Sequence, residues 1–291
     1  MKYEGVVIRP PSEANSLILQ VTIGCSHNKC TFCPAYKAKR FRIRTFTEIK
    51  EDIDEARLNT PPYRRVFLAD GDALIMPQEK LLQIAAYLQE AFPSLQRIGI
   101  YGNAKSILKK SVSQLQALKE HKISIIYLGI ESGDEETLKQ VHKGTTYKKI
   151  VEAGQRVKAA GIKLSVTVLL GIAGVERSIP HAQKTARILT AIQPDYVGAL
   201  TLMVMPETPL HGMVAEGNFI VPSPFDLLQE LRIMLAESDL HHCLFFSNHA
   251  SNYLPIRARL PKDKESSLQL IDEVLDAGNR SLLKPEHLRA L

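Results

Sequence analysis

Long apolar runs, internal repeats and low-complexity blocks are all missing from this 291-residue sequence. Its most apolar stretch, residues 164–172, falls far short of the roughly 20 residues a membrane-spanning helix needs. No membrane partner is expected. The absence of a repeat period excludes solenoids and arrays, and the scattered Gly and Pro exclude a linker-like block. The opening residues, MKYEGVVIRPPSEANS, have no apolar core of the secretory kind. The closing LLKPEHLRAL carries no lipidation signal, so a cytoplasmic protein is expected. Cysteine is scarce: there are four, and three lie within nine residues. Such clustering is wrong for a disulfide framework and fits a reducing compartment with a metal or cluster site. Cys243 stands alone, as a small buried apolar residue does.

What is present is ordinary for a globular chain, with 45% hydrophobic and 23% charged residues and enough length for a large core. The formal charge is +6. Part of the excess sits at Lys37, Lys39, Arg40, Arg42 and Arg44, just after the cysteines. That run has three readings: a patch for nucleotide or RNA phosphates, a dock for an acidic electron carrier, or a plain solvated surface.

Apolar β-rich runs predict strands over 16–23, 65–69, 97–101, 123–130, 162–170 and 196–203. Helical patterns separate them, over 47–57, 78–92, 107–119, 147–160 and 178–191. In the second of these, Leu81, Leu82, Ala85, Leu88 and Phe92 fall on one face. The alternation predicts an α/β fold of parallel strands with right-handed crossovers, either an open sheet or an incomplete barrel. Both put the active site at the carboxyl ends of the strands. Past residue 206 the alternation stops. Ser223-Pro224 starts a helix with Leu227, Leu228, Leu231, Met234 and Leu235 as its buried stripe, followed by a strand at 243–246 and a last helix near 268–275. Residues 1–206 are therefore expected as a core barrel, and 207–291 as an α-rich C-terminal extension packing on it.

The segment Gly24-Cys25-Ser26-His27-Asn28-Lys29-Cys30-Thr31-Phe32-Cys33 puts three thiols on one loop after a strand. Iron–sulfur clusters are held by such closely spaced thiolates. Three ligands on a cubane of four irons leave one iron open, the mark of a catalytic rather than a structural metal site. The alternative is a zinc knuckle completed by His27 or Cys243, in a zinc-stabilised nucleic-acid-binding module.

With the aromatic Phe32 between its second and third Cys, this loop resembles the radical S-adenosylmethionine (SAM) superfamily. Four residues, rather than the common three, separate Cys25 from Cys30. The resemblance implies a partial (β/α)6 TIM-like barrel, a [4Fe-4S] cluster on Cys25, Cys30 and Cys33, and reductive cleavage of SAM to a 5′-deoxyadenosyl radical. It extends to the later strand ends. Asp70-Gly71-Asp72 stands where the family has a Gly-Gly-Glu-like turn for the SAM ammonium. Gly129-Ile130-Glu131-Ser132-Gly133 resembles the Gly-x-Glu-Ser segment of MiaB-type methylthiotransferases, anaerobic coproporphyrinogen dehydrogenase and the Elongator catalytic subunit; Lys143-Gly144-Thr145-Thr146 loosely fits that branch. It implies that Glu131 meets the ribose hydroxyls, with Ser132 also in the cofactor site. Gly171-Ile172-Ala173-Gly174 is similar to the family's turn against adenine, and Met203 follows the sixth strand. Local readings stay open beside these: a plain turn at Asp70, a helix cap at Glu131 and core packing at Met203.

Ser247, Asn248, His249, Asn252 and Tyr253 form a dense polar run after an apolar strand. They could orient a polar small molecule or simply cap a turn. Similarity to queuosine lyases suggests a modified nucleoside as substrate. Alternatives are tRNA, with residues 37–44 on its phosphates, and a tetrapyrrole. With one spare Cys, an all-cysteine second cluster is excluded. A ferredoxin- or flavodoxin-like electron donor is implied, and Tyr127, Tyr253 and Cys243 are candidates for quenching a product radical.

Overall fold

The structure, a computed structural model, describes residues 1–59 and 63–290. In chain order come β1 (Leu17–Gln20), β2 (Thr22–Ile23), β3 (Arg42–Ile43), α1 (Phe46–Asn59) and β4 (Arg65–Ala69). Next are α2 (Gln78–Ala91), β5 (Arg97–Gly102), α3 (Ala104–Leu108), α4 (Val112–Glu120) and β6 (Ile123–Glu131). They are followed by α5 (Glu135–Gln140), α6 (Tyr147–Ala159), β7 (Lys163–Leu170), α7 (Ser178–Ile192) and β8 (Tyr196–Thr201). The remainder is α8 (Pro209–Ala215), α9 (Pro224–Glu237), β9 (Cys243–Phe246), β10 (Arg257–Leu260) and α10 (Lys264–Ala277). No described helix is long and apolar enough to cross a membrane.

Backbone contacts divide the chain into two compact units. The first takes Met1–Asn28, Cys33–Leu128 and Glu152–Leu164; the second takes Lys29–Phe32, Gly129–Val151 and the chain from Ser165 onward. In the first unit β1, β4, β5 and β6 pair in parallel, through Leu17↔Val66, Val66↔Ile98 and Gly99↔Ile125. Strands covered on both faces read as near-continuous apolar runs, and Val66, Phe67, Leu68, Ile98 and Ile100 are all fully buried. On α2, Leu81, Ala85 and Leu88 lie inside as the periodicity requires. Ile84 is buried too, and Leu82 is only half-buried.

In the second unit β7, β8 and β9 pair in parallel, through Leu170↔Thr201 and Tyr196↔Leu244, and β10 closes against β9 in the antiparallel sense. The parallel pairing therefore continues into the segment after residue 206, where only a helical extension with one strand is expected. Cys243 is buried in β9, at 1% exposure.

Two expected elements divide, for local reasons. The strand over 16–23 breaks at Val21, whose N–H donates to Ala69 O while its carbonyl accepts from Arg44 N. The chain there leaves β4, and β2 forms its own antiparallel ribbon with β3. The helix over 107–119 becomes α3 and α4, because each half has its own capping box: Asn103 with Ser106, and Ser111 with Gln114. Reciprocal caps satisfy backbone donors that a continuous helix would otherwise bond internally. Replacing Ser111 by Ala should therefore lower stability by about 1 kcal/mol. The check is urea unfolding, where the midpoint drops with an unchanged slope; an unmoved midpoint rejects the cap.

Candidate active site

The cysteine loop leaves β2 at Gly24, which has φ +77, a left-handed conformation that glycine adopts without steric cost. A buried carboxylate fixes this point. Asp70, at the end of β4 and fully buried, accepts at Oδ2 from Gly24 N (2.9 Å), Gln20 Nε2 (3.0 Å) and Lys39 Nζ (3.1 Å). Asp72, also fully buried, accepts from Ser26 Oγ and from Asn103 N and Nδ2, the last at 2.8 Å. Burial pushes the Asp72 carboxyl up, and hydrogen bonds from Ser106, Ser26 and Asn103 pull against it. Between the two acids, a Cβ on Gly71 would lie 2.6 Å from the Tyr36 ring and 2.8 Å from Cys25 Cβ. Only glycine allows that approach. The Cys25 thiol points at the Gly71 carbonyl, 4.0 Å away.

Cys25, Cys30 and Cys33 are each partly exposed, unlike Cys243, and none is in a disulfide. Among the described residues no three His, Cys, Asp or Glu side chains gather as for a single metal ion. A cubane cluster is larger and takes one thiolate per iron, and three accessible soft donors in a nine-residue loop fit that group.

Most of the basic run after the cysteines is committed internally. Lys39 pairs with Asp70, Arg44 is buried on Asp52 at 2.7 Å, and Arg42 bridges to Glu4 and Glu48. Lys37 donates to the Asn28 carbonyl, and Arg40 is exposed. Three of the five cations thus have carboxylate partners that an RNA phosphate would have to displace.

In the second unit, β6 ends at Glu131, held in the left-handed region at φ +59. Its Oε1 pairs with Lys143 Nζ at 2.8 Å. Ser132, expected in the cofactor site, is fully buried, and its hydroxyl lies 2.7 Å from His181 Nδ1. Gly133 donates to Thr185 Oγ1, and a Cβ there would collide with the Lys184 carbonyl. Asp134 caps α5 and carries Arg177 and Lys184. Burial opposes its ionisation, but the bonds from Arg177 and Lys184 win and hold it below the usual carboxylate range.

At the end of β7, Gly171 has φ +83 and its N–H donates to Glu230 Oε2 at 2.7 Å. The Ile172 side chain is buried with Leu202, Leu210 and Phe219, so only its backbone is available to a ligand. Met203 is half-buried just past β8. Glu230 is fully buried and lies 3.8 Å from His181 Nε2. Burial pushes Glu230 up to about 7, against hydrogen bonds from Gly171 and Ser178. Burial likewise pushes His181 down to about 4.

The run after β9 behaves mainly as a capping turn. Ser247 is fully buried and accepts from Asn252 Nδ2, which also reaches Ala199 O. His249 Nδ1 bonds within the turn to Ser251. Tyr253 is capped by Arg289, 4.2 Å over its ring, and donates to Glu286. Asn248 is exposed, and Asn252 Oδ1 is buried without a hydrogen-bond partner among the described residues. The geometry thus turns Ser247, His249, Asn252 and Tyr253 toward backbone and neighbouring side chains. Of the other quencher candidates, Tyr127 donates to buried Glu13, and Cys243 lies in the core.

Sequence reading missed Glu230, His181, Tyr36 and Asn103. A signal existed for Glu230: it interrupts the apolar stripe of α9 between Leu227 and Leu231, and a charge inside such a stripe calls for a buried partner.

A family model described as the radical SAM superfamily matches residues 19–181. The Methanocaldococcus jannaschii protein MJ0486 is 25% identical over 256 residues, covering 84% of this chain and 74% of its own. The heme chaperone HemW of Bacillus subtilis is 18% identical over 201 residues, covering 67% of this chain and 52% of its own. Among solved structures, coproporphyrinogen III oxidase (HemN) from Escherichia coli superposes with a TM-score of 0.58 at 14% identity, covering 84% of this chain and 56% of that one. This chain spans about half the length of HemW and HemN. The structural likeness establishes the fold: an incomplete TIM-like barrel with mostly parallel strands.

The buried acid and imidazole make stability depend on pH in opposite senses. Glu230 keeps its proton in the fold but loses it near 4.5 when unfolded, so its contribution falls as pH rises from there to about 7. His181 stays neutral in the fold, so its contribution falls as pH drops from 6.5 toward about 4. Glu230→Gln removes the first effect alone. The stability difference between variant and wild type should then rise by about 3 kcal/mol across the Glu230 window. Urea unfolding at the two ends of that window measures it; a constant difference would mean that Glu230 is ionised in the fold.

Proposed function

The chain belongs to the radical SAM superfamily, and from that premise we propose that it turns a SAM-derived radical on a polar small molecule. Membership makes it an enzyme whose cofactors are a [4Fe-4S] cluster and SAM. Together, when bound, they supply reductive cleavage of the S–C5′ bond to methionine and a 5′-deoxyadenosyl radical.

In this reading Cys25, Cys30 and Cys33 give one thiolate each, leaving one iron corner without a protein ligand. The observation that carries the reading is the anchoring of the cysteine loop. Asp70 and Asp72 are buried acids that grip Gly24 and Ser26, and Gly71 lies bare against Cys25. Asp72 and one oxygen of Asp70 already have donors within the protein, while Asp70 Oδ1 is buried without a hydrogen-bond partner among the described residues, so Asp70 Oδ1 and the Gly71 backbone are the groups offered to the SAM ammonium. Glu131 offers the ribose its second carboxylate oxygen while Lys143 holds the first. The Gly171 turn presents backbone to adenine, with Ile172 and Ser132 fixing position from behind. Met203 lies past the end of β8 for a cofactor contact.

A free modified nucleoside, the substrate type of queuosine lyases, is the finer reading. The pairing of Lys39, Arg42 and Arg44 with carboxylates favours it over tRNA. A tetrapyrrole is the second reading, favoured by similarity to the heme chaperone HemW. A small ferredoxin- or flavodoxin-like protein would deliver the electron.

Anaerobically reconstituted protein with dithionite should release 5′-deoxyadenosine from SAM, and Cys30→Ala should abolish both the cluster absorption and the release. Full SAM cleavage by that variant rejects the ligand assignment. Turnover of a free nucleoside that is insensitive to salt supports the finer reading. Turnover of tRNA that falls steeply with salt replaces it.

A further inference from the structure

Glu230 occupies a position where α9 would ordinarily carry an apolar residue. Leu227, one helical turn earlier on the same face, packs so closely that a Cβ on Gly171 would lie 2.7 Å from its Cδ2. The Gly171 N–H falls just beyond the β7 ladder and points to Glu230 Oε2. An acid is costly to bury, and this one is explained by the backbone donor it satisfies. On its other side the same Oε2 faces His181, whose Nδ1 meets Ser132 next to Glu131. Thr185, one turn along α7 from His181, takes the Gly133 N–H. Helices α7 and α9 therefore grip the ends of β6 and β7 from behind, and His181 and Glu230 are where the two grips meet.

We infer that Glu230 is a positioning residue for cofactor binding: it sets the Gly171 turn and, through His181, ties that turn to the Glu131 segment. This rests on the reading of the two segments as the adenine and ribose sides of the SAM site. Glu230 touches no reacting atom. It acts by holding a backbone turn in the shape the nucleoside needs.

Glu230→Gln keeps an oxygen for the Gly171 N–H, and Glu230→Leu removes it. Two readouts separate positioning from general support. In the apoprotein, hydrogen exchange at the Gly171 amide should accelerate about ten-fold or more in the Leu variant and little in the Gln variant. In the reconstituted enzyme, KM for SAM should rise about ten-fold in the Leu variant with kcat nearly unchanged, and Gln should restore it. A Leu variant with wild-type KM, a loss confined to kcat, or a Gln variant as impaired as Leu overturns the inference. Glu230→Met repeats the test should the Leu variant fail to fold. A Gly171 amide that exchanges freely in the wild-type protein overturns the inference without any variant. Absence of SAM cleavage by wild-type protein would instead overturn the function proposed above, leaving the exchange result to stand.

Discussion

A carboxylate sealed from water is costly unless donors replace its hydration, and Asp70 is sealed completely. Gln20, Gly24 and Lys39 supply three donors to one of its oxygens. Those donors come from the end of β1, the base of the cysteine loop and the return limb of that loop. Satisfying one charge thus fixes three pieces of backbone at once. Asp72 repeats the device two residues on, binding Ser26 and the N-cap of α3. Gly71, with no side chain, lets the strand end come up against Cys25 and Tyr36. The base of the loop is thus held by hydrogen bonds to the protein's own side chains.

The second unit uses the same physics with neutral partners. Ser132 bonds to His181 and the Gly171 amide to Glu230, and the two buried pairs face each other across a 3.8 Å contact between His181 Nε2 and Glu230 Oε2. Burial keeps His181 uncharged near neutrality and pushes Glu230 up to about 7, so its carboxyl is partly protonated there. Neutral buried polar groups cost far less than ions, and a carboxyl that keeps its proton can still accept from a backbone N–H.

Much of this was legible in the sequence where packing dictates residue type. Strands β4 to β6 announce themselves by near-continuous apolar runs, since both faces are covered, β7 and β8 by alternation of buried and half-buried residues, and α2 and α9 by their stripes. The cysteine loop, Gly-Ile-Glu-Ser-Gly and the Gly171 turn were legible because close backbone approach and thiolate chemistry restrict the choice of residue. Other features depend on partners remote in sequence. Nothing local tells that Arg44 faces Asp52 or that Lys39 reaches Asp70, so the run after the cysteines read as an exposed patch. Ser247 and Asn252 read as ligand groups, and nothing local tells that they also bond to each other and to β8. The four-residue β10 and the short α8 lack the length over which periodicity becomes visible.

Glu131 has one more consequence. A side chain with a β-carbon resists the left-handed backbone region, and this position carries one at φ +59 in a segment where glycine stands on either side of the Ile-Glu-Ser core. Glycine at 131 would suit the backbone better and would delete the carboxylate. The strained backbone at this position therefore comes with a carboxylate that Lys143 holds in an ion pair. A glycine here would relax the end of β6 and take from Lys143 the carboxylate it now pairs with.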